Sequence, residues 1–417
     1  PLTLAPGSHS LDLPYNLPTA GAWELGIAIE GDARFSASAD LYLPFLYETA
    51  YGERLPGSNE KTDLWWASSG WKVSTTRQAP TEIGTAMHIA AARNEAEAAQ
   101  LVLRPQQGLR RLTVKVTDLS GPQGAEIAAD AIDVRRVATV PVQQPTDLAG
   151  EAADWPDPLL PMDVPVDVTA GHNLALWVRL QVPRRVPPGD YRGKIELRAD
   201  GWSTQVALHV EIFDFMLPDR MTCQTAFGFS PDAVWKYHGL DNDADRRAVL
   251  AKYLQSFASH HISPYDPAPL DRPVVDWPQL DGSPLAEDAV TEPVIDWSAW
   301  DGAMRRAIDQ YHFNSFRLAI PGMGGGSYIE RRPPELQGWT ADTAQYQALF
   351  RGYAGAVERH LAERGWLDEA FVYWFDEPAP RDYQFVMDGF ARLRTAAPGI
   401  TRMLTEQVEA ELTGGPD

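Results

Sequence analysis

The stretch EAFVYWFDEP, residues 369–378, decides the fold of the second half of the chain. Its apolar run is typical of a buried strand, and two acidic residues and a proline end that strand. Segments with helical periodicity lie on both sides of it, at residues 341–365 and 381–398. A buried strand between two helices indicates a parallel sheet with crossover helices.

The same alternation extends outward over residues 220–417. It predicts strands at residues 222–230, 262–267, 315–320, 369–378 and 400–406, and helices at residues 243–261, 297–313, 341–365 and 381–398. A doubly wound sheet and a (β/α)8 TIM-type barrel both fit this pattern. A barrel needs eight strands in about 250 residues. If the fold is a barrel, it is truncated after about the fifth strand.

The first half of the chain has a different pattern. Alternating apolar segments separated by turns such as VPPGD (186–190) run through residues 58–219 and predict an antiparallel β-sandwich. The segment 91–105 is compatible with a helix or a strand. Residues 52–63 are expected to be a polar linker, and residues 1–57 the tail of a β-rich accessory domain. The expected domains are therefore 1–57, 58–219 and 220–417.

Composition narrows the function. The 417 residues carry a net charge of −21, which disfavours binding to nucleic acid or to an anionic membrane surface. No apolar run approaches the length of about 18 residues that a membrane-spanning helix requires. The single cysteine, Cys223, excludes an internal disulfide. Fourteen tryptophans are compatible with stacking on sugar rings, although large cores need such residues too.

Asp376 and Glu377 are the leading catalytic candidates. The C-terminal ends of strands form the active-site face of parallel β/α folds. Neighbours in a regular strand point to opposite faces, but Pro378 cannot continue the ladder, so the backbone can bend and bring both carboxyls into one pocket. Surrounding aromatic residues would favour the neutral form of one carboxyl, as a general acid requires. The alternative is that Asp376 caps the next helix and Glu377 is solvated.

Further residues at the ends of the predicted strands are candidates for substrate contact, each with an ordinary packing or turn role as its alternative. Arg317 lies inside a strand, where burial of its charge predicts pairing with a carboxylate, and Glu406 is a possible partner. The glycine loop at 321–327 lacks the residues of a phosphate loop and is expected to form a flexible rim. No metal site is expected. The substrate-binding candidates are Tyr373, Trp374, Tyr265, Asp266, Trp235, His238, Arg317 and Glu406.

Several segments occur in an order that resembles a known family. They are WKV (71–73), AARNEAEAAQLVL (91–103), WPDPLLP (155–161), LWVRLQVP (176–183), PPGDYRGKIEL (187–197), FDFMLP (213–218) and YWFDEP (373–378). The set resembles glycoside hydrolase family 123, the β-N-acetylgalactosaminidases and their uncharacterised relatives, from about residue 64 onward. The resemblance implies a β-sandwich packed on a (β/α)8 barrel, with an adjacent Asp-Glu pair after the fourth strand.

The resemblance also implies a chemistry. The 2-acetamido oxygen of the substrate attacks the anomeric carbon, Asp376 orients the acetamido group, and Glu377 protonates the leaving oxygen and then activates water. The expected substrate is a terminal β-linked N-acetylhexosamine, most simply N-acetylgalactosamine, with no cofactor. The alternatives are a non-catalytic carbohydrate-binding or scaffold protein and a glycosidase with another sugar specificity. Pro1 is not an initiator methionine, so we expect the chain to be a processed form or a fragment. The expected location is extracellular or periplasmic.

Overall fold

The structure is a computed structural model that describes residues 7, 17, 19–29, 35–146 and 150–412. The chain divides into two compact units, Pro1–Leu217 and Pro218–Asp417. The first unit is built of strands, and the second combines helices with short strands. No helix in the described ranges is both long and apolar enough to cross a membrane.

The first unit contains fifteen strands in its described residues. They are β1 Gly21–Ile29, β2 Phe35–Leu43, β3 Glu53–Arg54, β4 Thr62–Ser68, β5 Met87–Arg93, β6 Ala96–Pro105, β7 Leu109–Val116, β8 Leu119–Ser120, β9 Glu126–Ile127, β10 Ile132–Val142, β11 Ala153–Pro161, β12 Val166–Val168, β13 Leu174–Gln181, β14 Gly189–Ala199 and β15 Trp202–Met216.

Two sheets form the expected sandwich. One has the order β11-β10-β13-β6-β4-β3, and the other has the order β12-β7-β14-β15-β5 with β8 and β9 attached at β14. All pairs are antiparallel except β15 with β5, which are parallel. Alternate residues of both sheets point inward, as the period of two requires. Leu101 and Leu176 of the first sheet and Ile195 and Leu208 of the second belong to one buried core.

The structure corrects the prediction for one segment of the first unit and decides between the two alternatives for another. Residues 52–63 are not a plain linker, because β3 pairs with β4 and Leu55 is buried in the sandwich core. The ambiguous segment 91–105 is extended, with the arch between β5 and β6 at Asn94 and Glu95. Asn94 has a φ of 65°, a left-handed conformation that permits this sharp reversal.

The second unit contains five helices and ten short strands in its described residues. They are α1 Pro231–His238, α2 Asp243–Ser259, β16 Val274–Asp276, β17 Val294–Asp296, α3 Ser298–Arg305 with a π-helical extension Arg306–Gln310, β18 Phe316–Leu318, β19 Gly325–Ser327, β20 Arg331–Arg332, β21 Glu335–Leu336, β22 Trp339–Thr340, α4 Ala344–Arg364, β23 Ala370–Val372, β24 Phe375–Asp376, α5 Tyr383–Ala396 and β25 Thr401–Arg402.

The five predicted strand segments follow one another in space in their chain order. Phe227 forms a parallel bridge with Pro264, and the N–H of Arg317 donates to the carbonyl of Tyr265 at 2.8 Å. From there β18, β23 and β25 form one parallel sheet. The sheets of the described residues are not closed into a barrel. The finding is therefore a β-sandwich followed by an α/β unit.

Some secondary-structure predictions for the second unit are wrong, in segments that make few contacts with the rest of the unit. Residues 222–230 were expected to be a buried strand, but they contribute only the bridge at Phe227, whose side chain is 55% exposed. The helix α1, which Ser230 precedes and Gly239 ends, was not expected. The antiparallel hairpin of β16 and β17 lies between the predicted strand 262–267 and the predicted helix 297–313, where no strand was expected.

Helix α4 is the centre of the α/β core, and two of its glycines test that packing. A Cβ on Gly352 would overlap the carbonyl oxygen of Thr291, whose N–H is bound to the Ala348 carbonyl at 3.0 Å. Gly352→Ala should therefore lower the free energy of unfolding by about 1–3 kcal/mol, because the segment at Thr291 is hydrogen-bonded to α4 and cannot move away from the added methyl group.

The matched control is Gly355→Ala on the same helix. Its Cβ would meet its nearest atoms at 3.4 and 3.5 Å, which is ordinary contact. Alanine should stabilise the helix at this position by up to about 1 kcal/mol. Denaturant unfolding of the two variants measures the difference, and equal stability would contradict the packing described for α4.

Candidate active site

The strand that carries the Asp-Glu pair ends in a bend. β23 ends at Val372, residues 373–374 leave the ladder, and β24 pairs in parallel with β19 so that Asp376 lies opposite Ser327. Glu377 follows with a φ of 44°, in the left-handed region that residues other than glycine seldom adopt. The backbone therefore turns at the acidic pair, as the proline at position 378 suggested.

Asp376 accepts hydrogen bonds from two hydroxyl groups on one carboxylate oxygen. The Tyr373 hydroxyl donates to Oδ1, and the Thr405 hydroxyl, after β25, lies 3.4 Å from the same oxygen. The two hydroxyls also contact each other at 2.8 Å. In the described part of the chain no group donates to Oδ2. One oxygen of Asp376 is thus fixed, and the other is available to an incoming donor.

Tyr373 is suited to remain a donor. Partial burial, and secondly its hydrogen bond to Asp376, raise the pKa of Tyr373 to about 12. Its ring contacts Tyr265 edge-on, with 6.0 Å between ring centroids. The phenol therefore stays protonated at neutral pH and can hold the carboxylate continuously.

Both carboxyl side chains are exposed. The expectation that aromatic residues enclose one of them is wrong, because Trp374 and Phe375 turn away from the bend. The capping alternative for Asp376 is also wrong. Asp382 occupies the N-cap position of α5, while Asp376 is bound by Tyr373 and Thr405.

Trp374 faces the helix side of the strand. Its ring packs against Phe385 and Phe390 at centroid distances of 5.3 and 6.1 Å, and Gly389 leaves room for it. Tyr373 and Trp374 therefore point to opposite sides, as the alternation of a strand requires. Trp374 has the core role that was the alternative to sugar contact.

Tyr265 and Arg317 lie on the same side as Tyr373. The Arg317 guanidinium carbon is 5.1 Å from the centroid of the Tyr265 ring, a cation–π contact. Arg317 is exposed, and among the described residues no carboxylate lies within 4.0 Å of it. The predicted pairing with a carboxylate is therefore wrong, because the strand face is open to solvent here. Asp266 instead pairs with Arg272 at 3.0 Å and accepts from the Ala268 N–H, as a turn residue does.

The remaining candidates lie in other surroundings. Trp235 is buried between α1 and α2, and His238 is hydrogen-bonded to Tyr253 at 3.0 Å. Glu406 follows β25 and accepts from the N–H of Gln407, without a contact to Arg317 in the described residues. For Trp235, His238 and Glu406 the described contacts give no link to Asp376, and their roles as substrate ligands stay predictions.

Two contributors were missed by sequence reasoning. Thr405, which bonds Asp376 and Tyr373, stands directly before Glu406 at the end of the last predicted strand. The glycine loop is not a free rim, because β19 is a strand beside β24 and a Cβ on Gly326 would overlap the Glu330 carbonyl. Both Thr405 and the glycine loop lie at the end of a predicted strand, and that position was the feature of the sequence that could have indicated them.

The fold and this bend define a class: a β-sandwich followed by an α/β unit with paired carboxylates at a strand end. Residues 62–199 match the family model described as the glycoside hydrolase 123 N-terminal domain. The matched stretch covers β4 to β14 of the sandwich. The resemblance to glycoside hydrolase family 123 is therefore confirmed, and this chain is similar to that family.

Solved structures agree at the level of the fold. A family 123 glycoside hydrolase from Clostridium perfringens, analysed for glycolipid glycan hydrolysis, matches with a TM-score of 0.54 and 14% identity over 78% of this chain. The match covers 60% of that enzyme's chain, so the present chain spans less than two thirds of it. No curated protein sequence gives a significant match.

Two fimbrial proteins also match, with scores too low for an argument about this chain. The CooA pilin subunit from enterotoxigenic Escherichia coli covers 38% of this chain and 99% of its own, at 13% identity and a TM-score of 0.22. Self-complemented MyfA from Yersinia enterocolitica covers 31% of this chain and 94% of its own, at 10% identity and a TM-score of 0.19.

Proposed function

We propose that this protein is a retaining glycoside hydrolase that removes a terminal β-linked N-acetylhexosamine, N-acetylgalactosamine in the first instance, with assistance from the substrate's acetamido group. The observation that carries the proposal is the strand-end pair, with Oδ1 of Asp376 bound by Tyr373 and Thr405 and Glu377 beside it in a left-handed turn. The sandwich match and the fold similarity support the same class.

The proposed roles follow from what each carboxyl can do. The acetamido oxygen attacks the anomeric carbon as the glycosidic bond breaks, and Glu377 gives its proton to the leaving oxygen. Oδ2 of Asp376 accepts the acetamido N–H and stabilises the positive charge of the resulting oxazolinium ring. Glu377, now ionised, takes a proton from water as the water oxygen adds to the anomeric carbon and the bond from that carbon to the acetamido oxygen breaks. This step opens the oxazolinium ring, returns the acetamido group and restores the acid form of Glu377. This differs from a retaining scheme with a carboxylate nucleophile.

The experiment that tests this mechanism follows the first-formed product by proton NMR. Two displacements at the anomeric carbon leave a β product, because each inverts the configuration. Appearance of the β anomer before mutarotation is the expected result. An initial α anomer would require direct attack by water and would exclude the proposed roles of Asp376 and Glu377.

The extent of the fold and the location are part of the proposal. Five segments are neighbours in the same order as they occur along the chain, and this arrangement is compatible with part of the wall of a (β/α)8 barrel. They are the segments at Phe227, Pro264, β18, β23 and β25. A glycan-cleaving enzyme of this type would act outside the cytoplasm, in the extracellular or periplasmic space. The rival function is non-catalytic carbohydrate binding, which the exposure of both carboxyls favours, since an enclosed site would exclude water better.

Tyr373→Phe tests the support of Asp376 directly. Loss of the hydroxyl removes the donor from Oδ1, so we expect kcat to fall by about 10- to 100-fold with a smaller change in KM. Since the pKa of Tyr373 is raised to about 12, the wild-type phenol is protonated throughout the neutral range. The loss should therefore be the same from about pH 6 to about pH 9.

The control for this substitution is Tyr237→Phe, because Tyr237 on α1 is 85% exposed. It should leave the kinetics unchanged. A loss in Tyr373→Phe that disappeared within that pH range, or an unchanged kcat, would show that the hydroxyl does not position Asp376.

A further inference from the structure

A second concave site lies in the β-sandwich, in a different unit from the Asp-Glu pair. A cavity of about 330 Å³ opens where β5, the terminal strand of its sheet, meets β4 and β6 of the other sheet. Trp66 of β4, His88 of β5, Glu97 of β6 and His209 and Glu211 of β15 contribute side chains to its wall. Its volume is within the range of small-molecule sites.

One wall of the cavity is a set of flat rings in contact. Trp66 and His88 have ring centroids 5.8 Å apart, and His88 and His209 meet edge-on at 5.0 Å. The Trp66 indole N–H donates to Glu53 at 3.2 Å, and the other end of the wall is held by a 2.9 Å contact from His209 to Asp190. The rings are thus positioned before any ligand arrives.

Polar side chains line the same cavity, and those of Ser68, His88 and Glu211 are exposed, so a ligand would replace water at them. Within the described ranges, the side chains of Ser68, Ser69, His88 and Glu211 have no hydrogen-bond partner, although all four line the wall. They offer two hydroxyls, an imidazole and a carboxylate. Four unpaired polar side chains around one aromatic wall have a donor and acceptor capacity that a ligand can satisfy.

We propose that this cavity is a carbohydrate-binding site that takes a neutral sugar ring. The apolar face of a pyranose would stack on the Trp66 wall, and its hydroxyls would donate to Glu211 and exchange hydrogen bonds with the serines and His88. A purely apolar ligand would leave the carboxylate desolvated and unpaired. Glu97, Glu211 and Asp190 together repel a sugar that carries its own carboxylate or sulfate.

The site acts independently of turnover at Asp376 and Glu377. The proposal therefore goes beyond the hydrolase function, and it stands or falls separately from it.

The test titrates the whole chain with methyl β-galactoside, methyl N-acetyl-β-galactosaminide, methyl β-glucoside and galacturonate, with ligand-observed NMR as readout. It is made in the Asp376→Ala background, in which turnover is expected to be about 10²- to 10³-fold slower. We expect at least one neutral sugar to bind and galacturonate to bind at least about tenfold more weakly. Glu211→Ala and His88→Ala should each weaken the neutral sugar by about tenfold.

The matched controls are Glu126→Ala and His172→Ala, exposed residues of the same unit outside the cavity. They should leave binding unchanged, and thermal unfolding verifies that all four variants fold. Binding that survives both Glu211→Ala and His88→Ala would overturn the assignment, and so would the absence of binding to every neutral sugar. Tighter binding of galacturonate than of the neutral sugars would overturn it as well.

Discussion

We expect the replacement of Glu377 by glutamine to lower kcat on a chromogenic β-N-acetylgalactosaminide by about 10²- to 10⁴-fold. The amide keeps the size of the side chain but can neither give a proton to the leaving oxygen nor take one from water. Because Glu377 is exposed, the free energy of unfolding should change by less than about 0.5 kcal/mol. Steady-state kinetics together with denaturant unfolding separate the loss of chemistry from a loss of fold.

The leaving group sharpens this prediction. A substrate with an activated leaving group needs little protonation, so the rate of glycosidic bond cleavage by the Glu377→Gln variant should recover on such a substrate. The rate of the following attack by water should not recover, because that step requires Glu377 as the general base. The control Glu363→Gln lies on α4 and is exposed. It should retain wild-type kcat. If Glu377→Gln retains it too, Glu377 is a solvated surface residue and the proposed mechanism is wrong.

Asp376→Ala has the second large effect, a fall in kcat of about 10²- to 10³-fold on acetamido sugars. Its carboxylate stabilises charge that forms only as the acetamido oxygen attacks, so the loss should be greater in kcat than in KM. The substitution also removes the acceptor of Tyr373 and Thr405. Asp376→Asn keeps one oxygen to accept from Tyr373 and Thr405, but its amide nitrogen replaces the oxygen that would accept the acetamido N–H. Its kcat should therefore fall by a similar factor.

The two carboxyl variants also distinguish an enzyme from a binding protein. An enzyme loses most of its turnover in each single variant, and the double variant loses little more, because the two groups act in one step. A carbohydrate-binding protein has no turnover to lose and keeps its ligand in at least one of them. Retained affinity with undetectable hydrolysis in the wild type would support the binding function.

The strand-end pair was accessible from the sequence because it depends on short-range features. An apolar run that ends in Asp376, Glu377 and Pro378 specifies both the buried strand and the bend after it. The sandwich was predictable for a similar reason, since buried and less buried residues alternate along strands such as β14 and β15.

The partners of those residues were not accessible, because they come from distant parts of the chain. The hydroxyl of Thr405 reaches Asp376 from 29 residues away. The strand pattern predicted that Tyr373 and Trp374 point to opposite faces, but it did not indicate which face carries the site around Asp376 and Glu377. Packing of Trp374 against α5 settles this for Trp374. The prediction that aromatic residues enclose one of the two carboxyls was wrong. The sequence shows that aromatic residues are close along the chain, but not in which direction their side chains point.

The short strands explain why the barrel prediction was not met. β18, β23 and β25 have three, three and two residues, so few ladder bonds define each pair. Sequence periodicity predicts that a strand exists but not how many neighbours it finds. The segment around Phe227 has one bridge and stays exposed, although its apolar composition suggested burial.

The most direct test of the central claim compares hydrolysis of three chromogenic substrates by the protein: β-N-acetylgalactosaminide, β-N-acetylglucosaminide and β-galactoside. The account predicts that only the acetamido sugars are cleaved, since the acetamido oxygen is the nucleophile. Cleavage of β-galactoside at a similar rate would contradict it, because that sugar has no acetamido group to attack the anomeric carbon.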